Sequence, residues 1–112
     1  MPSSPALGAL ELTVLLSVSR LGGEAYGLAV RQDVSARTGR DYSVGAIYTT
    51  LQRLESKKLV SSHATEPLPV RGGRSRRQFT VTGAGQRALR TAQRVAASVW
   101  AGVGTLPRLE PT

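Results

Sequence analysis

The chain contains no cysteine, which excludes a disulfide framework and a thiolate metal site and fits a reducing compartment. Its one histidine, His63, cannot hold zinc by itself. With so little catalytic equipment, and no paired carboxylates spaced for acid–base work, no enzyme activity, catalytic residue, metal or cofactor is expected. No apolar run approaches the length needed to span a bilayer, and Met1 to Ala6 lack the basic region of a signal peptide. The expected location is therefore cytoplasmic, without a membrane partner. Aromatic residues make up only 4% of the chain, which argues against a stacking surface for single-stranded nucleic acid.

Acidic residues are also few: seven Asp plus Glu stand against fifteen Lys plus Arg, a net charge of +8. Such an excess points to a polyanionic partner, and nucleic acid is the commonest. Thirteen of the fifteen basic residues are arginine, whose planar fork binds phosphate or a guanine edge with two parallel hydrogen bonds. A membrane surface asks only for point charge. At 112 residues the chain forms one domain that buries about 60 to 70% of its unfolded surface, a small core that invites a second subunit.

The central stretch, Asp41 to Val60, organises the rest. Val44, Ile47, Leu51 and Leu54 recur at three- and four-residue steps, the period of a helix with one buried face. Its opposite face carries Gly45, Thr49, Gln52, Arg53 and Ser56, with Tyr48 and Thr50 at the borders and no acidic side chain. A small residue, hydroxyls, an amide and an arginine suit a helix that lies in a DNA groove, although an ordinary solvated helix has a similar surface. Ser43 is placed to cap it.

Two further helices are expected ahead of this one. Leu7, Leu10, Val14, Leu15, Val18 and Leu21 predict a helix ended by Gly22-Gly23. A second pattern opens at Glu24-Ala25-Tyr26-Gly27, takes Leu28, Val30 and Val34 as apolar anchors, and ends at Thr38-Gly39. Tyr26-Gly27 predicts close packing on the following helix, since a ring needs room that a glycine supplies. Two helices joined by a short turn, the second with a polar outer face, form a helix-turn-helix.

Leu59 to Thr65 and Gln78 to Val81 read as two strands, the latter with Phe79 and Val81 on one side, interrupted by Glu66-Pro67-Leu68-Pro69. The expected hairpin tip, Arg71 to Arg77, holds four arginines, Arg71, Arg74, Arg76 and Arg77, that repel one another until an anion arrives. It lies where the wing of a winged helix would sit. Thr82 is expected to cap a last helix reaching about Gly102, with Ala88, Leu89, Ala92, Val95, Ala96, Val99, Trp100 and Val103 in one stripe. A second subunit is the economical cover for that stripe. Residues 105–112 read as a disordered tail.

Several of these segments together resemble one family. Leu10-Glu11, Glu24 to Gly27, Ser43 to Glu55, Leu59-Val60, and Arg71 to Arg74 leading to Val81-Thr82-Gly83-Ala84-Gly85 are similar to the PadR family of bacterial transcriptional regulators. The resemblance implies a winged helix-turn-helix with a C-terminal dimerisation helix, bound as a dimer to an inverted-repeat operator and usually acting as a repressor. It implies DNA contacts from Ser43, Gly45, Tyr48, Thr49 and Arg53, and from Arg74, Arg76 and Arg77 of the wing. The short last helix is similar to that of the small members, some of which bind planar drugs or other aromatic compounds in a pocket at the dimer interface. Two departures stand out: Lys58 where members often have glycine, and Ser75 where they often have proline.

The expected architecture is mainly α with a two-stranded β wing. Residues 1–81 form the DNA-binding domain and 82–104 the dimerisation helix. Candidate contacts to double-stranded DNA are Tyr42, Ser43, Gly45, Tyr48, Thr49, Gln52, Arg53, Arg71, Arg74, Arg76 and Arg77. The candidate homodimer interface is Leu10, Val14, Leu89, Ala92, Ala96, Val99, Trp100 and Val103, with Trp100 a candidate for holding a flat hydrophobic effector. The alternative is a non-specific architectural or RNA-binding basic protein.

Overall fold

The computed structural model describes residues 7–65 and 76–104. Arg71, Arg74 and Ser75 of the expected wing tip, the break at 66–69 and the tail at 105–112 lie outside them. Helix α1 spans Ala9–Leu21. The backbone N–H of Gly8 donates to the Glu11 carboxylate at 3.0 Å, satisfying one end of the helix. Gly22 closes the other at φ +56°, a conformation that glycine adopts without strain. Helix α2 spans Gly27–Thr38 and ends on left-handed Gly39. Helix α3 spans Val44–Ser56, and its N-cap Ser43 accepts the Ala46 N–H at 3.1 Å.

α3 ends in a Schellman arrangement. Leu59 N–H donates to Leu54 O and Lys58 N–H to Glu55 O, both at 2.9 Å. This geometry requires a left-handed residue, and Lys58 supplies it at φ +62°. The sequence departure at this position therefore leaves a strained lysine in a glycine conformation.

Strands β1 (Val60–Ala64) and β2 (Arg77–Val81) pair antiparallel, from Val60 opposite Val81 to Ala64 opposite Arg77. Burial fades along β1 because the hairpin leaves the body at its far end. Helix α4 spans Gly83–Trp100, capped by Thr82, whose hydroxyl accepts the Gly85 N–H at 3.0 Å. The core is the three-helix junction of Val14, Leu15 and Val18 with Val30 and Val34 and with Ile47, Leu51 and Leu54, closed by Val60 and Phe79.

Several expectations need correction. The second helix does not open at Glu24. Residues Gly22–Glu24 form a 3-10 turn, and the Ala25 carbonyl accepts the Phe79 N–H at 2.9 Å while Tyr26 bridges Gln78. That pairing holds the segment extended as a third, minimal strand. Leu28 is no anchor and stands 59% exposed, because two residues of helical rotation carry it away from Val30. Val44 is 42% exposed, since its side chain leans past the helix start, where nothing packs on it. Thr50 is buried instead of bordering the outer face, returning its hydroxyl to Ala46 O at 2.8 Å. Arg77 belongs to β2, not to the loop tip. The last helix stops at Trp100, so Val103 lies beyond it. Val14 is wholly enclosed in the core and has no surface to offer a second subunit.

Candidate nucleic-acid interface

α3 presents Gly45, Tyr48, Thr49, Gln52, Arg53 and Ser56 to solvent, with Ser43 exposed at its N-terminus. No exposed residue of this helix is acidic. Its one carboxylate, Glu55, is half-buried and accepts a hydrogen bond from the Ser62 hydroxyl. Ser62 Oγ in turn accepts from Arg77 Nε at 3.1 Å. Glu55, Ser62 and Arg77 thus form a hydrogen-bonded chain that ties α3 to both strands of the hairpin.

Tyr48 is 38% exposed, and its ring fills the space over Gly27, where a Cβ would overlap it. The close packing expected at Tyr26-Gly27 exists, but the ring that uses the glycine is Tyr48. Tyr48 therefore fixes how α3 sits on α2. Tyr42 is half-buried against the core, and its carbonyl accepts from Arg31 Nε at 2.7 Å. Arg31 also reaches Asp41 at 3.0 Å. One arginine of α2 clasps both residues of the turn that presents α3. This contact is ten residues apart in sequence and leaves no periodic signal.

Three more ion pairs brace α3 and its neighbours. Lys57 Nζ meets Glu11 Oε2 at 2.7 Å, joining the end of α3 to α1. The Lys57 ammonium, followed by the Gly8 N–H, holds the Glu11 carboxyl below its ordinary pKa. On α2, Asp33 pairs with Arg20 of α1 and with Arg37 at 3.0 Å. The hydrogen bond from Arg20 is the main reason its pKa falls to about 2. These contacts pair Arg20, Arg31, Arg37 and Lys57 with carboxylates, whereas Arg53 of α3, like Arg40 and Lys58, stands outside any ion pair among the described residues.

At the hairpin, the Arg76 guanidinium lies 4.1 Å from the centroid of the Tyr26 ring, a cation–π contact that steadies the entry to β2. Thr65 N–H and hydroxyl both donate to Arg76 O, at 2.7 and 3.0 Å. The strands beneath the arginine loop are thereby tied together. A helix with an acid-free polar face beside a β hairpin whose far end carries arginine is the geometry of a winged helix-turn-helix.

The model of the transcriptional regulator PadR-like family matches residues 14–91 of the chain. The chain belongs to this family. As a PadR-like protein it is a DNA-binding transcriptional regulator, not an enzyme. A PadR family regulator from Eggerthella lenta is similar to it, with 31% identity over 85% of this chain and 84% of that one and a TM-score of 0.63. A PadR-like regulator from Bacillus cereus has 24% identity over 92% and 95% of the two chains, with a TM-score of 0.70. RosR of H. salinarum, at 24% identity over 89% and 83% and a TM-score of 0.67, shares the fold. No curated protein sequence matches significantly.

α4 carries the other candidate residues. Leu10 and Leu89 are half-buried against the core, and Ala92 is half-buried as well. Ala96, Val99, Trp100 and Val103 are exposed, Val99 to 71% and Trp100 to 58%. Leu12, Leu16, Leu89, Ala92 and Ala96, together with Gln86, Arg90 and Gln93, line a groove of about 370 Å³ between α1 and α4. Leu16 is a large exposed hydrophobic residue that the periodicity of α1 does not single out. Among the described residues no helix is long and apolar enough to cross a membrane.

Proposed function

We propose that two copies of this chain associate through α4 and read an inverted-repeat operator on double-stranded DNA, each α3 entering a major groove. In this division residues 1–81 read DNA and residues 82–104 dimerise. The observation that carries the reading is the exposed, acid-free face of α3, where Gln52 and Arg53 stand one step apart beside Thr49 and Gly45. Glutamine and arginine are the side chains that pair two-pronged with adenine and guanine edges, and a glycine lets the backbone approach the groove. Ser43 and the first amides of α3 offer donors to a phosphate. Arg71, Arg74, Arg76 and Arg77 grip the flanking backbone without reading sequence. Support for the dimer comes from the exposed apolar residues Val95, Val99 and Trp100 along α4 and the groove beside it. A dimer seated on promoter DNA occludes it, so repression is the sign we assign.

Release is assigned to a flat hydrophobic compound held between the Trp100 rings of the two subunits. Such a compound would favour a dimer whose recognition helices are wrongly spaced for the operator.

The deciding experiment titrates the protein against a labelled duplex from upstream of its own gene and a scrambled duplex, at several salt concentrations, by fluorescence anisotropy. Preference for the native duplex is expected, with affinity falling by roughly one unit of log–log slope per phosphate neutralised. Arg53→Ala should relax base choice at one position per half-site by about 1–3 kcal/mol, whereas Arg76→Ala weakens all sequences about equally. If selection from a random duplex pool yields no preferred site, the architectural reading replaces this one.

A further inference from the structure

Two adjacent residues at the start of α2 touch both the recognition helix and the far end of the hairpin. Gly27 leaves the space that the Tyr48 ring of α3 fills. Tyr26, the residue before it, carries the Arg76 guanidinium 4.1 Å from its ring centroid. One line of contacts therefore runs from α3 to the hairpin arginine through Tyr48, Gly27, Tyr26 and Arg76. The backbone of Tyr26 is held without help from its ring: Val30 N–H donates to Tyr26 O at 2.9 Å, Phe79 N–H donates to Ala25 O at 2.9 Å, and Tyr26 bridges Gln78. The ring is thus a platform on a fixed base.

The two described arginines of the hairpin are held in different ways. Arg77 donates Nε–H to Ser62 Oγ at 3.1 Å, whereas Arg76 sits over a ring. That attraction is between the charge and the ring quadrupole and occupies no hydrogen-bond acceptor, so the guanidinium donors stay available to phosphate oxygens. The hairpin itself has little need of the stack. Five residue pairs join its strands, and Thr65 already donates twice to Arg76 O. The stack instead orders an exposed side chain that would otherwise sample many rotamers in water. An arginine ordered before it meets a phosphate gives up less freedom on binding.

We propose that Tyr26 is a positioning residue for DNA: its ring presets the Arg76 guanidinium at a fixed place relative to α3, so that the hairpin meets the phosphate backbone in the register set by the recognition helix. This rests on the assignment of Arg76 to the DNA backbone.

The test is a double-mutant cycle, read by fluorescence anisotropy on one mixed-sequence duplex at low salt, with a thermal melt of every variant. Arg76→Ala should weaken binding about tenfold. Tyr26→Leu should weaken it about three- to fivefold in the wild-type background, and less than about 1.5-fold when Arg76→Ala is already present. Tyr26→Phe should bind like wild type, because the ring acts and the hydroxyl does not. A further variant keeps the shape of the side chain and hence the fold. Pentafluorophenylalanine at position 26 reverses the ring quadrupole, and should weaken binding about as much as leucine while melting like Tyr26→Phe. A ring that only supports the fold would tolerate the fluorines and would cost the same with and without the arginine. Either of those results overturns the role of Tyr26. If Arg76→Ala alone leaves binding unchanged, the assignment of Arg76 to the backbone fails, and the proposal falls with it through a separate variant.

Discussion

Tyr48 reaches from α3 into the space that Gly27 leaves on α2, and the seating of the recognition helix depends on that fit. Gly27→Ala should therefore destabilise the fold by about 1–3 kcal/mol and weaken duplex binding, read by thermal melting and anisotropy. In a Tyr48→Ala background the same substitution should cost much less, because the two residues share one volume. An equal cost in both backgrounds would remove Tyr48 as the obstacle. Asp33 makes a prediction in acid. Its folded pKa, about 2, lies below the ordinary 3.8 because Arg20 stabilises the carboxylate. Its contribution to stability is therefore fully present above about pH 4 and lost as pH falls toward 2. Asp33→Asn should lower the melting temperature near neutrality and flatten its decline between pH 4 and 2. A variant that keeps the wild-type acid limb would assign that limb to other groups.

At the scale of elements, the junction of α3, the hairpin and α4 turns on Thr82. Its hydroxyl accepts the Gly85 N–H, and donates to Lys58 O at 2.7 Å, while its backbone N–H donates to Leu59 O at 3.0 Å. A cap for α4 is thus also a tie to the residue that ends α3. Gly85 closes the approach, since a Cβ there would overlap Leu59 O. Thr82→Ala should cost about 1 kcal/mol as a lost cap and loosen the angle between α4 and the recognition helix, seen as weaker operator binding. Thr82→Ser should keep both bonds and both properties. If alanine and serine behave alike, the hydroxyl has no such role.

The whole molecule divides its charge by surface. Carboxylates are placed against Arg20, Arg31, Arg37 and Lys57, while Arg40, Lys58 and the arginines of α3 and α4 are left without them among the described residues. With α4 exposed from Gln93 onward, its apolar residues have no cover within the domain, and in the proposed dimer a second copy supplies it. Trp100→Ala should shift the monomer–dimer balance toward monomer in sedimentation. It should also abolish any loss of operator affinity caused by flat aromatic compounds. Retention of a full response to such compounds would exclude Trp100 as their site.

Much of this was legible from local pattern. Helical spacing marked all four helices because each gathers its apolar residues in one stripe, buried in three of them and largely exposed on α4, and Ser43 and Thr82 announced two helix starts because capping is a local hydrogen bond. The run Ser43 to Glu55 carried the family. The charge balance determined a polyanionic partner without any coordinates. Only the tertiary structure decided which apolar residues are interior: Val14 went to the core, while Leu28, Val44 and Leu16 went to the surface. Only it paired Arg31 with the turn, Tyr48 with Gly27, Ala25 with β2, and Glu11 with Lys57. Periodicity reports which side of a helix is buried, but partners distant in sequence leave no periodic trace, so their choice belongs to the packed molecule alone.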